Sequence, residues 1–454
     1  MDRRDFIKVS LVSGLSILIP NFSYAKKLDL SKISFSKPSY NAQTIIIFMY
    51  GGASQLAGNI TNIKDINKHS QNDYYEYFRD ITPTEHGFWK EAGGDELEKM
   101  LLDGDMSIYR CCYSKVREEA GNKAHGVCTE ENQKGTFDVS NAGGIVSNLA
   151  NILNENGVVD NSSFMPFITM EGDSKFYEDG ELATPSYLRA VAMDENFDNP
   201  YDRSSWSVRS WIYYTKEERE KPNYNQSDEK GGFDPALHSK MDIISQNINS
   251  DGKIKSAFAK RAKLANFINQ IKQTQTPDLG EDAYPQDNKF AKKLESAINI
   301  LYKNSDTKVI TLSTGGLGGW DDHNEAKNYI NRSKSLFRAL RSAMAHLKAI
   351  NKIDEVNIFV FGEFGRNVNL NSAYGWDHGN LQNLYIFGGK GYFNHKGVVG
   401  ETKLDAQSST RLWLKPKDGT FWFEPLSIAA TLYKIYGIEN PEVLTDGYKE
   451  LNIL

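Results

Sequence analysis

The 454-residue chain is poor in cysteine, with three thiols at Cys111, Cys112 and Cys128. Three cysteines build neither a disulfide framework nor a cysteine-only zinc site. One bridge from Cys128 to Cys111 or Cys112 remains open, with one thiol left over. Positive charge is not concentrated either. Lysine plus arginine number 53 against 59 acids, a net charge of -6, and no block of basic residues occurs. That argues against nucleic acid as a partner. Long apolar runs are also missing. The longest candidate, LVSGLSILIP at 11–20, is short for a membrane span of about 20 residues. Histidine is scarce, at 8 residues, so its placement carries weight.

What the chain does contain is a globular composition, 39% hydrophobic and 25% charged, long enough for one large domain or two moderate ones. Residues 1–25 read as a targeting segment. Arg3 and Arg4 precede Phe6 and Lys8, the apolar run follows, and Ser23-Tyr24-Ala25 supplies small residues for cleavage. This pattern predicts a twin-arginine signal read by the twin-arginine translocase, hence a periplasmic protein. Membrane contact would come only through an uncleaved signal. The mature domain is expected over 26–454.

Apolar, β-branched runs recur at 44–50 (TIIIFMY), 106–113 (MSIYRCCY), 164–170 (FMPFITM), 308–313 (KVITLS), 356–361 (VNIFVF) and 384–389 (LYIFGG). Such runs suit strands buried on both faces. Helical patterns lie between them. Leu336, Leu340, Met344, Leu347 and Ile350 form one apolar face, and 288–304 reads similarly. Alternation of this kind predicts an α/β fold, a mostly parallel sheet with helices on both faces. The polar stretch 175–285, with aromatic clusters such as SWSVRSWIYY at 205–214, reads as an insertion over one end of the sheet.

Ligands of such sheets bind beyond the carboxyl ends of the strands, and the chemically suggestive motifs all fall there. GGASQ (51–55) follows the first strand, with Ser54 as a candidate polar group or part of a tight turn. GGWDDH (318–323) follows KVITLS. Asp321 and His323 are two residues apart, so extended backbone points both to one side, as a divalent ion requires. Asp322 then points away or supports the ligands, or caps the next helix. GWDHGN (375–380) supplies Asp377 and His378. GEFGRN (362–367) supplies Glu363 as ligand or base and Arg366 as an oxyanion clamp; a structural Glu–Arg pair is the alternative. In AHGVCTEENQKG (124–135), Thr129 fits a helix N-cap, and His125, Cys128 or Thr129 is a nucleophile or ligand, or else a cap beside a buried thiol. TGGLGG (314–319) lacks the Gly-Lys-Ser/Thr ending of a phosphate loop. His346, inside the helical pattern, reads as structural or exposed.

Taken in order, GGASQ, AHGVCTEENQKG, GGWDDH, FGEFGRN, GWDHGN and the closing FEPLSIAATLYKIYGIENP resemble the family called domain of unknown function 1501, a distant relative of the alkaline phosphatase and sulfatase superfamily. The resemblance extends over nearly the whole mature chain. It implies a three-layer alkaline-phosphatase-like core with a metal centre. Asp321, His323 and His378 are the implied ligands, with Glu363, Asp377 and Ser54 as further candidates. His125, Thr129 and Arg366 are the candidate catalytic groups. Zinc is the first choice of metal, with calcium or manganese as alternatives. The sequence departs from the superfamily at Ser54, where phosphatases and sulfatases carry a metal-binding Asp. No Ser, Thr or Cys nucleophile aligns, and the sulfatase Cys/Ser-x-Pro-x-Arg signature is absent. The expected function is an exported metal-dependent hydrolase of small or polymeric sulfate or phosphate esters. The alternative is a degenerate binding or assembly protein that keeps the fold.

Overall fold

The computed structural model describes residues 28–69, 81–172, 174–197, 263–264, 266–324, 326–408 and 411–454. The expected signal at 1–25, and most of the expected insertion, lie outside the described residues. None of the described helices is long and apolar enough to cross a membrane.

The β-branched runs form strands of one eight-stranded sheet: β1 (Gln43–Met49), β2 (Met106–Tyr113), β3 (Phe167–Thr169), β4 (Val191–Ala192), β5 (Val309–Ser313), β6 (Val356–Gly362), β9 (Leu381–Gly388) and β10 (Gly397–Val399). Between β6 and β9 come the short strands β7 (Gly365–Arg366) and β8 (His378–Gly379). A separate hairpin joins β11 (Thr402–Ser408) to β12 (Arg411–Pro416). The sheet order is β10-β2-β9-β6-β1-β5-β3-β4. Each pairing is parallel except the two made by β9, which runs against both β6 and β2. The strands are buried on both faces, and successive side chains alternate between the two cores with the period of two that a strand requires. Ile45, Ile47 and Met49 of β1 enter one core, and Ile46 and Phe48 the other.

The helices divide along the same line. On the first face lie α2 (Gly94–Leu102), α6 (Lys289–Lys303) and α7 (Asn328–Ala349). On the second lie α5 (Ile145–Glu155) and α8 (Leu426–Ile435), with α4 (His125–Lys134) packed beside α8. The short α1 (Ile63–His69) and α3 (Lys115–Glu119) fill connections. The result is the three-layer α/β architecture expected of alternating strands and helices. In α7, Leu336, Leu340, Met344 and Leu347 are buried as the helical spacing predicts, and Ile350 stands at the C-cap. The three cysteines are all buried and free, so the disulfide left open by the sequence is not formed.

The single reversed strand matters for function. Because β9 runs antiparallel to β6, the chain leaves the sheet at Gly362 and re-enters it at Leu381 on the same edge. Residues 363–380 are therefore held above the carboxyl ends of β1, β5 and β6.

His346 lies on the buried face of α7, fully enclosed, with Nδ1 3.3 Å from the hydroxyl of Tyr284. Burial pushes its pKa down to about 4 from 6.5. A folded-state pKa below the unfolded value stabilises the fold above about pH 6.5 and loses that contribution as pH falls toward 4. The loss is on the order of 3 kcal/mol. Urea midpoints at pH 7 and 4.5 should separate less in His346→Gln than in the wild type; equal separations would remove His346 from the acid response.

Candidate metal centre

Four side chains from three segments converge at the strand ends. Asp321 and His323 come from the loop between β5 and α7, His378 opens β8, and His125 opens α4. One ligand atom from each lies within 4.8 Å of all the others. Nε2 of His323 is 2.9 Å from Nε2 of His378. Oδ1 of Asp321 is 3.3 Å from Nε2 of His323 and 3.4 Å from Nε2 of His125. A tetrahedral ion with bonds of about 2.0 Å spaces its ligands at roughly 3.3 Å.

The second ring nitrogens fix the tautomers. Nδ1 of His125 is 2.6 Å from Oε2 of Glu363. Nδ1 of His323 is 3.2 Å from Oδ1 of Asp377. Nδ1 of His378 is 2.6 Å from the carbonyl of Lys123. Each of these partners accepts hydrogen bonds, so each Nδ1 carries the proton. In the neutral rings all three Nε2 atoms then present lone pairs, and they point at one another. Nε2 of His125 is buried without a hydrogen-bond partner. Besides its approaches to His378 and Asp321, Nε2 of His323 lies 3.3 Å from Nη1 of Arg366. Two imidazole lone pairs 2.9 Å apart repel unless a cation lies between them. This is the arrangement of histidine ligands with carboxylate or carbonyl backing that metal sites use, and the donor set fits a metal ion.

Electrostatics agree with a neutral His378 near an ionised Asp321. Burial, and then the Arg366 guanidinium, push the pKa of His378 down to about 4; the Lys123 carbonyl opposes them. Burial raises that of Asp321, but the hydrogen bond and charge of Arg366 outweigh it and hold the carboxyl below its usual range.

Arg366 itself is placed differently from an oxyanion clamp. Its side chain is fully buried. Nε donates to the Gly52 carbonyl at 2.7 Å and Nη1 to the Trp376 carbonyl at 2.9 Å. Nη2 reaches the carbonyls of Gly51 and Trp320 and Oδ1 of Asp321, the last at 2.6 Å. Fully buried and hydrogen-bonded to carbonyls of three loops and to Asp321, Arg366 ties those loops together and is closed off from a substrate. It pairs with Asp321 and not with Glu363.

The loops touch through backbone. Trp376 N–H donates to the Asp322 carbonyl at 2.7 Å, and Asn324 bridges Tyr374. A side chain at Gly375 would put Cβ 2.1 Å from the His323 carbonyl, and one at Gly51, where φ is +105°, would put it 2.5 Å from the Asp321 nitrogen. These two glycines permit the approach.

Other expected residues fall outside the inner group. Glu363 and Asp377 stand behind imidazoles; Glu363 also accepts from the Gly51 N–H at 2.8 Å. Ser54 is buried in a cleft with Met49, Trp320 and Tyr329, its Oγ 3.4 Å from the Leu56 nitrogen, with no hydrogen bond to the histidines. Thr129 lies one turn inside α4, whose N-cap is Ala124, because the helix begins at His125. Cys128 is buried, and burial pushes its thiol up to about 11. Asp322 turns away and pairs with Arg332.

Several supports carry no signal in the sequence. Arg117 of α3 pairs with Glu131 at 2.6 Å and donates to the Glu363 carbonyl at 3.0 Å, while Asn132 donates to the carbonyls of Gly362 and Glu363. This buried network docks α4, and so His125, onto the end of β6. Asn371 steadies Asp377 and the His323 carbonyl.

Glu363→Gln keeps the acceptor for Gly51 but removes the charge behind His125. Zinc affinity, read by competition with a chelating dye, should fall about 10- to 100-fold with little change in the thermal stability of the metal-free protein. Unchanged affinity would remove Glu363 from the site.

No curated protein matches the chain in sequence. Among solved structures it is similar to Ps i-CgsB, determined in complex with k-i-k-neocarrahexaose, at 12% identity over 90% of this chain and 74% of that one, TM-score 0.37. It is also similar to the alkaline phosphatase of the Antarctic bacterium TAB5, at 12% identity over 79% and 95%, TM-score 0.31. A family model matches residues 269–408, a narrower span than the motif resemblance, and takes in GGWDDH, FGEFGRN and GWDHGN; its description is Protein of unknown function (DUF1501).

Proposed function

We propose that the chain is a metal-dependent hydrolase of phosphate or sulfate esters, with His125, Asp321, His323 and His378 as the metal ligands. The observation that carries this reading is the convergence of three Nε2 lone pairs whose Nδ1 protons are each held by an acceptor. Three imidazoles and one carboxylate suit zinc; calcium favours all-oxygen sites, and manganese is a poorer match to this set.

A divalent ion held by these four side chains would polarise an ester oxygen and acidify a water only on expanding to a fifth coordination position. The chain's own residues do the rest. Glu363 and Asp377 hold Nδ1 protons and keep the rings oriented. Arg366 holds Asp321 ionised. Ser54, Thr129 and Cys128 do not join the ligand group, so water is the proposed nucleophile. Residues 1–25 are proposed as the twin-arginine signal, which puts the enzyme in the periplasm.

A binding or assembly protein with a structural metal is the second reading. The sealing of Arg366 favours it, since that guanidinium cannot stabilise a transition state.

Plasma mass spectrometry on protein exported in its native host should find stoichiometric metal in the wild type and none in Asp321→Ala/His323→Ala. Hydrolysis of p-nitrophenyl phosphate or p-nitrophenyl sulfate should fall at least about 1,000-fold in that variant. A folded wild type without metal would refute the site. Metal without turnover of either ester would favour the binding reading.

A further inference from the structure

The centre is closed on its inner side. The Phe364 ring packs 5.0 Å from that of His125 and 4.5 Å from that of His378, centroid to centroid. The Arg366 guanidinium lies 5.6 Å from the same ring. Gly52 presses on Phe364 from behind, where an added Cβ would collide with it. The opposite side is open. The side chains of Asp321 and Asp377 are 51% and 58% exposed there. A fifth ligand, water or ester oxygen, therefore arrives past these two carboxylates.

The charge it meets is negative. Among the described residues, Arg366 is the one lysine or arginine within ion-pair distance of Asp321, Asp377 or Glu363, and it is shut away from solvent. Lys123 turns its ammonium to the Trp413 ring, 4.3 Å from the centroid. Asp322 faces away and is cancelled by Arg332. Imidazoles that ligate a metal are neutral. Three carboxylates, one guanidinium and a divalent ion then leave the loaded centre without net charge. A neutral centre behind a negative mouth offers a second negative charge on the substrate nothing to pair with, and the two exposed carboxylates repel it. A phosphate monoester, whose second pKa is about 6, carries that second charge at pH 8. A sulfate monoester and a phosphodiester each carry one charge only.

We infer that the centre selects monoanionic esters, sulfate monoesters or phosphodiesters, over dianionic phosphate monoesters, and that Asp377 sets the preference together with Asp321. The inference rests on the hydrolase reading, but its first readout is binding. Methyl sulfate, dimethyl phosphate and methyl phosphate are titrated calorimetrically at pH 8 into the full protein, with metal content measured in parallel. The wild type should bind at least one monoanion about tenfold or more tightly than methyl phosphate, and which monoanion binds separates the sulfate source from the diester source. The gap should narrow as salt rises from about 0.05 to about 0.5 M, because exposed charges are screened; a gap set by shape would persist. Asp377→Asn keeps an oxygen for Nδ1 of His323 and removes one charge. Its affinity for methyl phosphate, per bound metal, should rise about threefold, with a smaller change for the monoanions. Equal or tighter binding of methyl phosphate by the wild type overturns the inference, as does failure of all three probes to bind the loaded protein. Selective binding without turnover of p-nitrophenyl sulfate or bis-p-nitrophenyl phosphate would refute the hydrolase and leave the charge selection standing. A metal-free wild type would remove both.

Discussion

The Arg366 guanidinium is the constraint around which the site is arranged. A fully buried cation costs several kcal/mol to desolvate unless every N–H finds an oxygen. Here the oxygens come from Gly51 and Gly52 after β1, Trp320 and Asp321 after β5, and Trp376 before β9. Satisfying one side chain therefore fixes the relative position of three loops. Asp321 and His323 travel with one of them, and His378 with another. Lysine, with its compact ammonium and three donors, could not span the same set.

A second constraint brings in the fourth ligand. His125 belongs to a helix on the far face of the sheet and has no reason of its own to meet the other three. The Arg117–Glu131 pair and Asn132 clamp that helix to the carbonyls of Gly362 and Glu363. The Glu363 carboxylate then takes the imidazole directly. One residue thus serves as anchor through its backbone and as proton holder through its side chain.

Much of the fold was legible in sequence because it follows from periodicity. The runs at 44–50, 308–313 and 356–361 are strands within one or two residues of the expected ends, and α7 buries the face its spacing announced. The reversal of β9 was not legible, since a buried antiparallel strand has the same apolar composition as a parallel one. At the site, the two-residue spacing of Asp321 and His323 placed both on one side, while Asp322 turned toward Arg332. What local reading missed was partner choice. Arg366 sits three residues from Glu363 yet pairs with Asp321, and the Lys123 carbonyl behind His378 is a backbone atom that no residue type advertises. Thr129 was misplaced because Ala124, a weak cap, ends up preceding the helix when the His125 contact with Glu363 fixes its first turn.

The four candidate ligands also explain why metal and fold should be inseparable. They come from positions 125, 321, 323 and 378, so nearly the whole described sheet must be in place before any two segments meet. The unfolded chain offers only the Asp321–His323 pair as a local donor set. Metal that binds the folded chain alone adds its binding free energy to stability, and without it the facing lone pairs of His323 and His378 repel. A protein built this way gains from being loaded and closed before it leaves the compartment where its metal is supplied. Export in the folded state, the route proposed for residues 1–25, meets that requirement, whereas threading an unfolded chain would separate the ligands again.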